Sequence, residues 1–381
     1  MKQHPGEDLQ SAGKAYTSSK GGTMLATDKP IPSHSTRPWY THGSMQITKM
    51  GIGINNLIPI IYLTKTAGSQ SYLAQLTHMS ISQLFAVVFA AQIILAAFEG
   101  KRTIYCLAVV PAYITSLLII PSTLSSSVVT TLSLATFIGL WRTGICMSIC
   151  LHRYAAHAAF KCGPFMQYFF NILGSMANQG GPIWWASQHR SHHKNCDMEG
   201  DPHSAILDGV EKAFSFFTSH DTVLEEFTPK HNDTKGLRLL DTWSFVFVSI
   251  ELYTSFLLFG RESLFITFTS MWICQCGTLW FNIGNHPPNV NQDKVCQSMN
   301  YDFVTGHGIP LGLYPAFWIV NAYYPLLASI VSESNHDDHH NHSMLAKREK
   351  YDCMYYTFLW PMEKMGLIWN VRKCDDVEKC R

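Results

Sequence analysis

Gln188-His189-Arg190-Ser191-His192-His193 is the stretch on which the fold turns, because Asn335-His336-Asp337-Asp338-His339-His340 repeats its His-x-x-His-His pattern far downstream. The chain has 18 histidines in 381 residues. A shuffled chain of that composition would hold about 0.04 such boxes, so a chance pair is excluded. A third cluster, His152-Arg153-Tyr154-Ala155-Ala156-His157, closes an apolar run.

Helical spacing points these boxes at metal. Residues i, i+3 and i+4 share one helix face, so His189, His192 and His193 converge on one point, as do His336, His339 and His340. His152 and His157 do not fit this pattern. Five residues turn a regular helix through about 500° and leave the two rings about 140° apart, so the helix is expected to unwind between them. Neutral imidazole suits Zn, Cu, Fe and Ni, and eight rings exceed what one ion takes, which makes two ions the natural count. The competing readings are a set of solvated surface histidines and a structural zinc pair. Structural zinc prefers four ligands and commonly recruits cysteine.

Composition sets the class around these boxes. The chain is 47% hydrophobic and 13% aromatic but only 14% charged, richer in aromatics and poorer in charge than a soluble domain. A net charge of +1 argues against a nucleic-acid partner. The 11 cysteines form no Cys-x-x-Cys pair and read as reduced thiols. Residues 1–45 read as a disordered polar tail without a signal-peptide core. Apolar runs follow at Ile81–Phe98, Ile104–Pro121, Val128–Leu151, Leu239–Phe259 and Ser263–Ile283, each of roughly 18 to 24 residues and long enough for a bilayer. Gly51–Leu63 is apolar but short, and reads as an interfacial or tilted segment. The boxes must meet on one side of the membrane, and the Gly100-Lys101-Arg102 connection falls on that side, which the positive-inside tendency makes cytosolic. The expected fold is an all-α integral membrane protein over 46–381. It has about four to six transmembrane helices, and a cytosolic helical cap over 152–238 and 284–381 carries the histidine-rich site.

The quoted residues resemble those of the membrane-bound fatty acyl desaturases, of the stearoyl-CoA (delta-9) type. The boxes of that family read His-Arg-x-x-x-His, His-Arg-x-His-His and His-Asn-x-His-His. The likeness runs from about Leu140 to Asn370, with Arg153 and Arg190 in place and Asp337 where the family has Asn. It implies a di-iron site, O2 as co-substrate and electrons from a cytochrome b5 or ferredoxin type of donor. It also implies that His286, one turn after Asn282, is a ninth ligand beside His152, His157, His189, His192, His193, His336, His339 and His340, and that Asn282 reaches a metal through water. Gln179, Trp185 and Thr278 match the family residues that hold the bend of the acyl chain. Imidazoles leave the ions' charge uncompensated, so Glu199, Asp201, Glu333, Asp337 and Asp338 are candidate carboxylates behind the ligands. His203, in Gly200-Asp201-Pro202-His203, reads as a turn residue.

The function implied is insertion of a cis double bond, at delta-9, into a saturated acyl chain. Two departures bear on the carrier. Ser187-Gln188 replaces the family's Arg-Asp, and Ile206–Glu226 holds no arginine pair for a CoA phosphate. Acyl-CoA and acyl-lipid therefore both stand. In a eukaryote the membrane would be that of the endoplasmic reticulum. Two other readings remain open: a lipid hydroxylase of the same metal architecture, and a non-redox metal-binding receptor or zinc hydrolase.

Overall fold

Two polar side chains seat the first helix. In the computed structural model α1 spans Ser44–Thr66, so the short apolar stretch at Gly51–Leu63 is extended by its flanks. The Thr48 hydroxyl donates to the Thr242 carbonyl at 3.1 Å, and Asn55 Nδ2 donates to the Phe245 carbonyl at 3.1 Å. The structure describes residues 44–66, 77–80, scattered positions from 83 to 94, 127–196, 198–204, 222–284, 328–333, 339–340 and 342–374. The tail expected over 1–45 and the runs at 81–98 and 104–121 lie almost wholly outside the described residues.

The apolar run from Val128 begins with a side-chain cap. Ser127 Oγ accepts from the Thr130 N–H at 3.1 Å, satisfying one of the donors that a helix start leaves over. α2 (Val128–Trp141) passes into a π-helix over Arg142–Ala156. A short strand β1 (Lys161–Cys162) then leads to α3 (Pro164–Ser175) and α4 (Pro182–Asn195), each with proline in its first turn, where no N–H is needed. α5 (Lys235–Thr242), α6 (Phe245–Phe259) and α7 (Arg261–Gly284) follow. α6 turns into α7 at Gly260, whose φ of +78° is a conformation that glycine adopts without strain.

The single helix expected over 239–259 is broken. α5 and α6 meet at a 54° bend, and polar partners account for it. The Thr242 and Phe245 carbonyls take their hydrogen bonds from α1, and Asp241 is drawn off to the start of α4. Among the described residues one helix, Val129–Ala156, is long and apolar enough to cross a membrane, and the bent pair would make a second.

α7 packs along α2, and the π-helix packs against α3 and α4. Met271, Trp272 and Phe268 of α7 are buried in this core with Cys146, Ile149 and Leu151. Arg142 is fully buried and forms a two-point ion pair with Glu251 of α6, at 2.5 and 2.9 Å. Large apolar side chains on the outer faces stay exposed, among them Ile61, Phe137, Leu257 and Phe259. A second π-helical turn (Tyr355–Leu359), α8 (Trp360–Lys364) and β2 (Ile368–Trp369) end the described chain. β2 pairs antiparallel with β1. The Arg372 N–H also donates to Ala159 O at 3.1 Å, which fixes the C-terminal segment beside His157. Cys146, Cys150, Cys162, Cys196, Cys274, Cys276 and Cys353 are free thiols, as expected, whereas Cys374 is disulfide-bonded. Spacing along the sequence gave no sign of that bridge.

Candidate metal centre

The helix does not unwind between His152 and His157. It widens instead, and the wider turn does what unwinding was expected to do. The His157 N–H donates to His152 O at 3.2 Å, an i→i+5 bond of the π type. That winding stacks residues five apart, and the two rings lie 5.0 Å apart between centroids. Arg153, buried between them in sequence, points the other way. Its Nη1 donates to Ala346 O at 2.6 Å and to Asp352 Oδ2 at 2.7 Å, locking the C-terminal segment under the first box.

Five imidazoles from three separate segments form one group. The ligand nitrogens of His152, His157, His189, His193 and His339 all lie within 4.8 Å of one another. Nε2 to Nε2 separations are 3.0 Å for His157–His189, His189–His193 and His193–His339, and 2.7 Å for His152–His339. The His152 Nδ1–H faces Glu333 Oε1 at 3.0 Å, so its Nε2 carries a lone pair. Each neutral ring has one N–H, and several facing nitrogens are satisfied together by a cation. A spacing of 3.0 Å is also that of two ligands at right angles around an ion with bonds of about 2.1 Å. These residues fit a metal.

His192 departs from the expectation that the second box serves one point. Positions i+3 and i+4 diverge by about 100° around a helix, and here they part. The His192 ring stands 6.2 Å from His189 and 6.0 Å from His193. It belongs to a second group with Cys196 and His340, again within 4.8 Å. Asp201 Oδ2 accepts from His192 Nδ1 at 2.9 Å, and the His203 ring packs 4.2 Å from the His192 ring. The His203 N–H donates to Asp201 Oδ1 at 3.0 Å, so His203 does close a turn, with its imidazole also at the site.

Two of the five candidate carboxylates are thus behind ligands, Glu333 behind His152 and Asp201 behind His192. Glu199 is exposed. Glu333 also accepts from Ser148 Oγ at 2.6 Å and pairs with Arg348. Burial favours the neutral acid there, but the charge of Arg348 and the hydrogen bond from His152 hold the carboxyl well below its ordinary range. Burial holds His189, His193 and His339 well below the usual imidazole value and His340 at about 4. The rings are therefore neutral at pH 7, the form that binds metal.

Gln179, Trp185 and Thr278 are brought together although Gln179 and Thr278 lie 99 residues apart. Gln179 Nε2 donates to Thr278 Oγ1 at 2.7 Å, and the indole N–H of Trp185 donates to Gln179 Oε1 at 3.2 Å. The indole stacks on His189 at 4.8 Å between centroids. All three are buried. A rigid polar wall therefore abuts the five-histidine group. The helix that carries Trp185 and His189 is capped from outside itself. Gly181 brings no side chain to its start, and Asp241 Oδ1 accepts from the Ile183 and Trp184 N–H groups at 2.6 and 3.1 Å.

His286 and His336 lie outside the described residues, with Asp337 and Asp338. Asn282 lies on α7, and its side chain is also outside them. Two residues at the site were not foreseen. Cys196 stands one helical turn after His192, a spacing that could have found it. Arg348 follows the third box in sequence but meets His152, 196 residues away, only in space, and no pattern marks it.

No protein-family model matches the chain. Among curated proteins it is 26% identical over 269 residues to the hex-5-enoyl-[acyl-carrier protein] acetylenase of Moorena producens (strain JHB), covering 64% of this chain and 78% of that one. It is 30% identical over 149 residues to the sn-1 stearoyl-lipid 9-desaturase of Anabaena variabilis, 36% of this chain and 52% of the relative. It is also 46% identical over 59 residues to the acyl-CoA C20 Delta5-desaturase of Anemone leveillei, 16% and 19% of the two chains. The chain thus spans about half of the Anabaena protein and a fifth of the Anemone one. It is a homologue of the fatty acid desaturases, with a stearoyl-lipid 9-desaturase among its relatives.

Proposed function

We propose that the protein is an O2-dependent di-iron fatty acyl desaturase that inserts a cis double bond, at delta-9, into a saturated chain carried on CoA or a lipid. The observation that carries this reading is the group of five imidazoles whose nitrogens lie within 4.8 Å, set against the Trp185 wall. Two bound irons would supply O2 activation, the O2 being reduced to two waters by two hydrogens from the chain, two electrons from a cytochrome b5 or ferredoxin type of donor and two protons from solvent. His152, His157, His189, His193 and His339 hold one ion in this assignment. His192 and His340 hold the other, and His286, His336 and, through water, Asn282 complete the set.

The protein's own groups do the positioning. Glu333 and Asp201 fix the tautomer and ring plane of His152 and His192. Arg348 balances the buried Glu333 charge. Gln179, Trp185 and Thr278 set where the acyl chain bends, and so which methylene pair meets the site. Burial of the rings keeps bulk water away from them. The exposed apolar faces of α1, α2 and α6 meet lipid. About four to six helices span the bilayer, and the metal centre faces the cytosol.

Metal analysis of the purified protein, together with lipid profiling of cells that express it, tests this reading. The expected result is two irons per chain and a new monounsaturated product. His193→Ala or His340→Ala should abolish turnover and lower the iron content. Full activity in both variants would overturn the assignment. The relatives' names include CoA, lipid and acyl-carrier protein as carriers, so assays with each carrier decide which one this chain takes.

A further inference from the structure

The second metal group contains a sulfur. Cys196 caps the C-terminal end of α4 and lies one turn beyond His192, so the two side chains leave one face of the chain. Its Sγ and the ring nitrogens of His192 and His340 all fall within 4.8 Å. His192 is 1% exposed, and its Nδ1 is held by the buried Asp201 carboxylate at 2.9 Å. That arrangement fixes a metal-binding imidazole independently of the thiol, because it leaves Nε2 as the coordinating nitrogen.

We propose that Cys196 is a thiolate ligand of the second metal ion, beside His192 and His340; this rests on the two-ion reading above. A helix C-terminus carries partial negative charge and disfavours a free thiolate. The ion itself therefore drives the ionisation: the S–H proton goes to solvent as the metal–sulfur bond forms, since a coordinated thiol is deprotonated outright. The thiolate then supplies the single negative charge in a donor set that is otherwise neutral.

X-ray absorption at the metal edge of the full-length, metal-loaded protein tests this, with metal content measured in parallel. The expected result is two metals per chain and a sulfur neighbour at about 2.3 Å that is lost in Cys196→Ser. Two metals with no sulfur neighbour, or a sulfur neighbour that survives in Cys196→Ser, overturns the ligand assignment and leaves the two-ion reading standing. An absence of bound metal brings down both. Should the variant fail to fold, alkylation of wild-type Cys196, which is partly buried, replaces it. Blocking by metal and release on stripping support the ligand, and equal alkylation in both states overturns it.

Discussion

At the scale of single residues, the contrast between the rings and the groups behind them is instructive. Spacing along the sequence grouped His189 with His193 but did not show that His192 parts from them. It could not show that Glu333 stands behind His152, because the two are 181 residues apart, nor that Arg348 faces Glu333. Glu333→Ala and Asp201→Ala should each weaken metal binding about 10–100-fold, measured by competition with a chelator, while Glu333→Gln keeps an acceptor for His152 and loses less. The Gln179–Trp185–Thr278 wall makes a different prediction. Thr278→Val removes the shorter of the Gln179 amide's bonds and leaves it the one to Cys274 O at 3.3 Å, a loss of about 0.5–1.5 kcal/mol. With the wall loosened, Thr278→Val and Trp185→Ala should scatter the double-bond position or cut turnover while iron content stays at wild type. A misplacement of about 1 Å is worth on the order of 100-fold in rate. An unchanged single product at wild-type rate in both variants would remove the wall's proposed role.

Among the helices, the sequence disclosed the apolar runs but not their winding. Nothing in Arg142–Ala156 marks a π-helix, because residue types that favour it over an α-helix are not separated by propensity. The only hint was a five-residue histidine interval that a regular helix cannot use. The break between α5 and α6 was equally hidden, since its causes, Thr48, Asn55 and the start of α4, are remote in the chain. The cap on α4 is where this can be tested. Asp241→Ala should cost about 0.5–2 kcal/mol in thermal unfolding and lower iron content, and Asp241→Asn, which still accepts, should recover most of it. A methyl at Gly181 would fall 2.1 Å from Asp241 Oδ1 and 2.5 Å from its carbonyl, so Gly181→Ala should be at least as damaging.

For the whole molecule, the site's place relative to the bilayer is open to direct measurement. Lys194 follows the second box and Met344 the third, and both are exposed. Reporter cysteines at these positions, in a background lacking other reactive thiols, should be labelled from the same side of sealed vesicles. Labelling from opposite sides would contradict a shared centre. The facing nitrogens of His152 and His339 have one more consequence. They are 187 residues apart in sequence, so a bound ion acts as a cross-link that can be opened. By the chain-entropy estimate used for disulfides, closing a loop of that size is worth up to about 5 kcal/mol. Chelation should therefore do more than silence the enzyme. It should loosen the C-terminal segment from the first box, and limited proteolysis should cut the stripped protein there well before the loaded one. On the two-ion proposal, a site that needs both ends of that loop fills only once both have been made, so metal loading should come late in assembly and iron supply should set how long the protein survives.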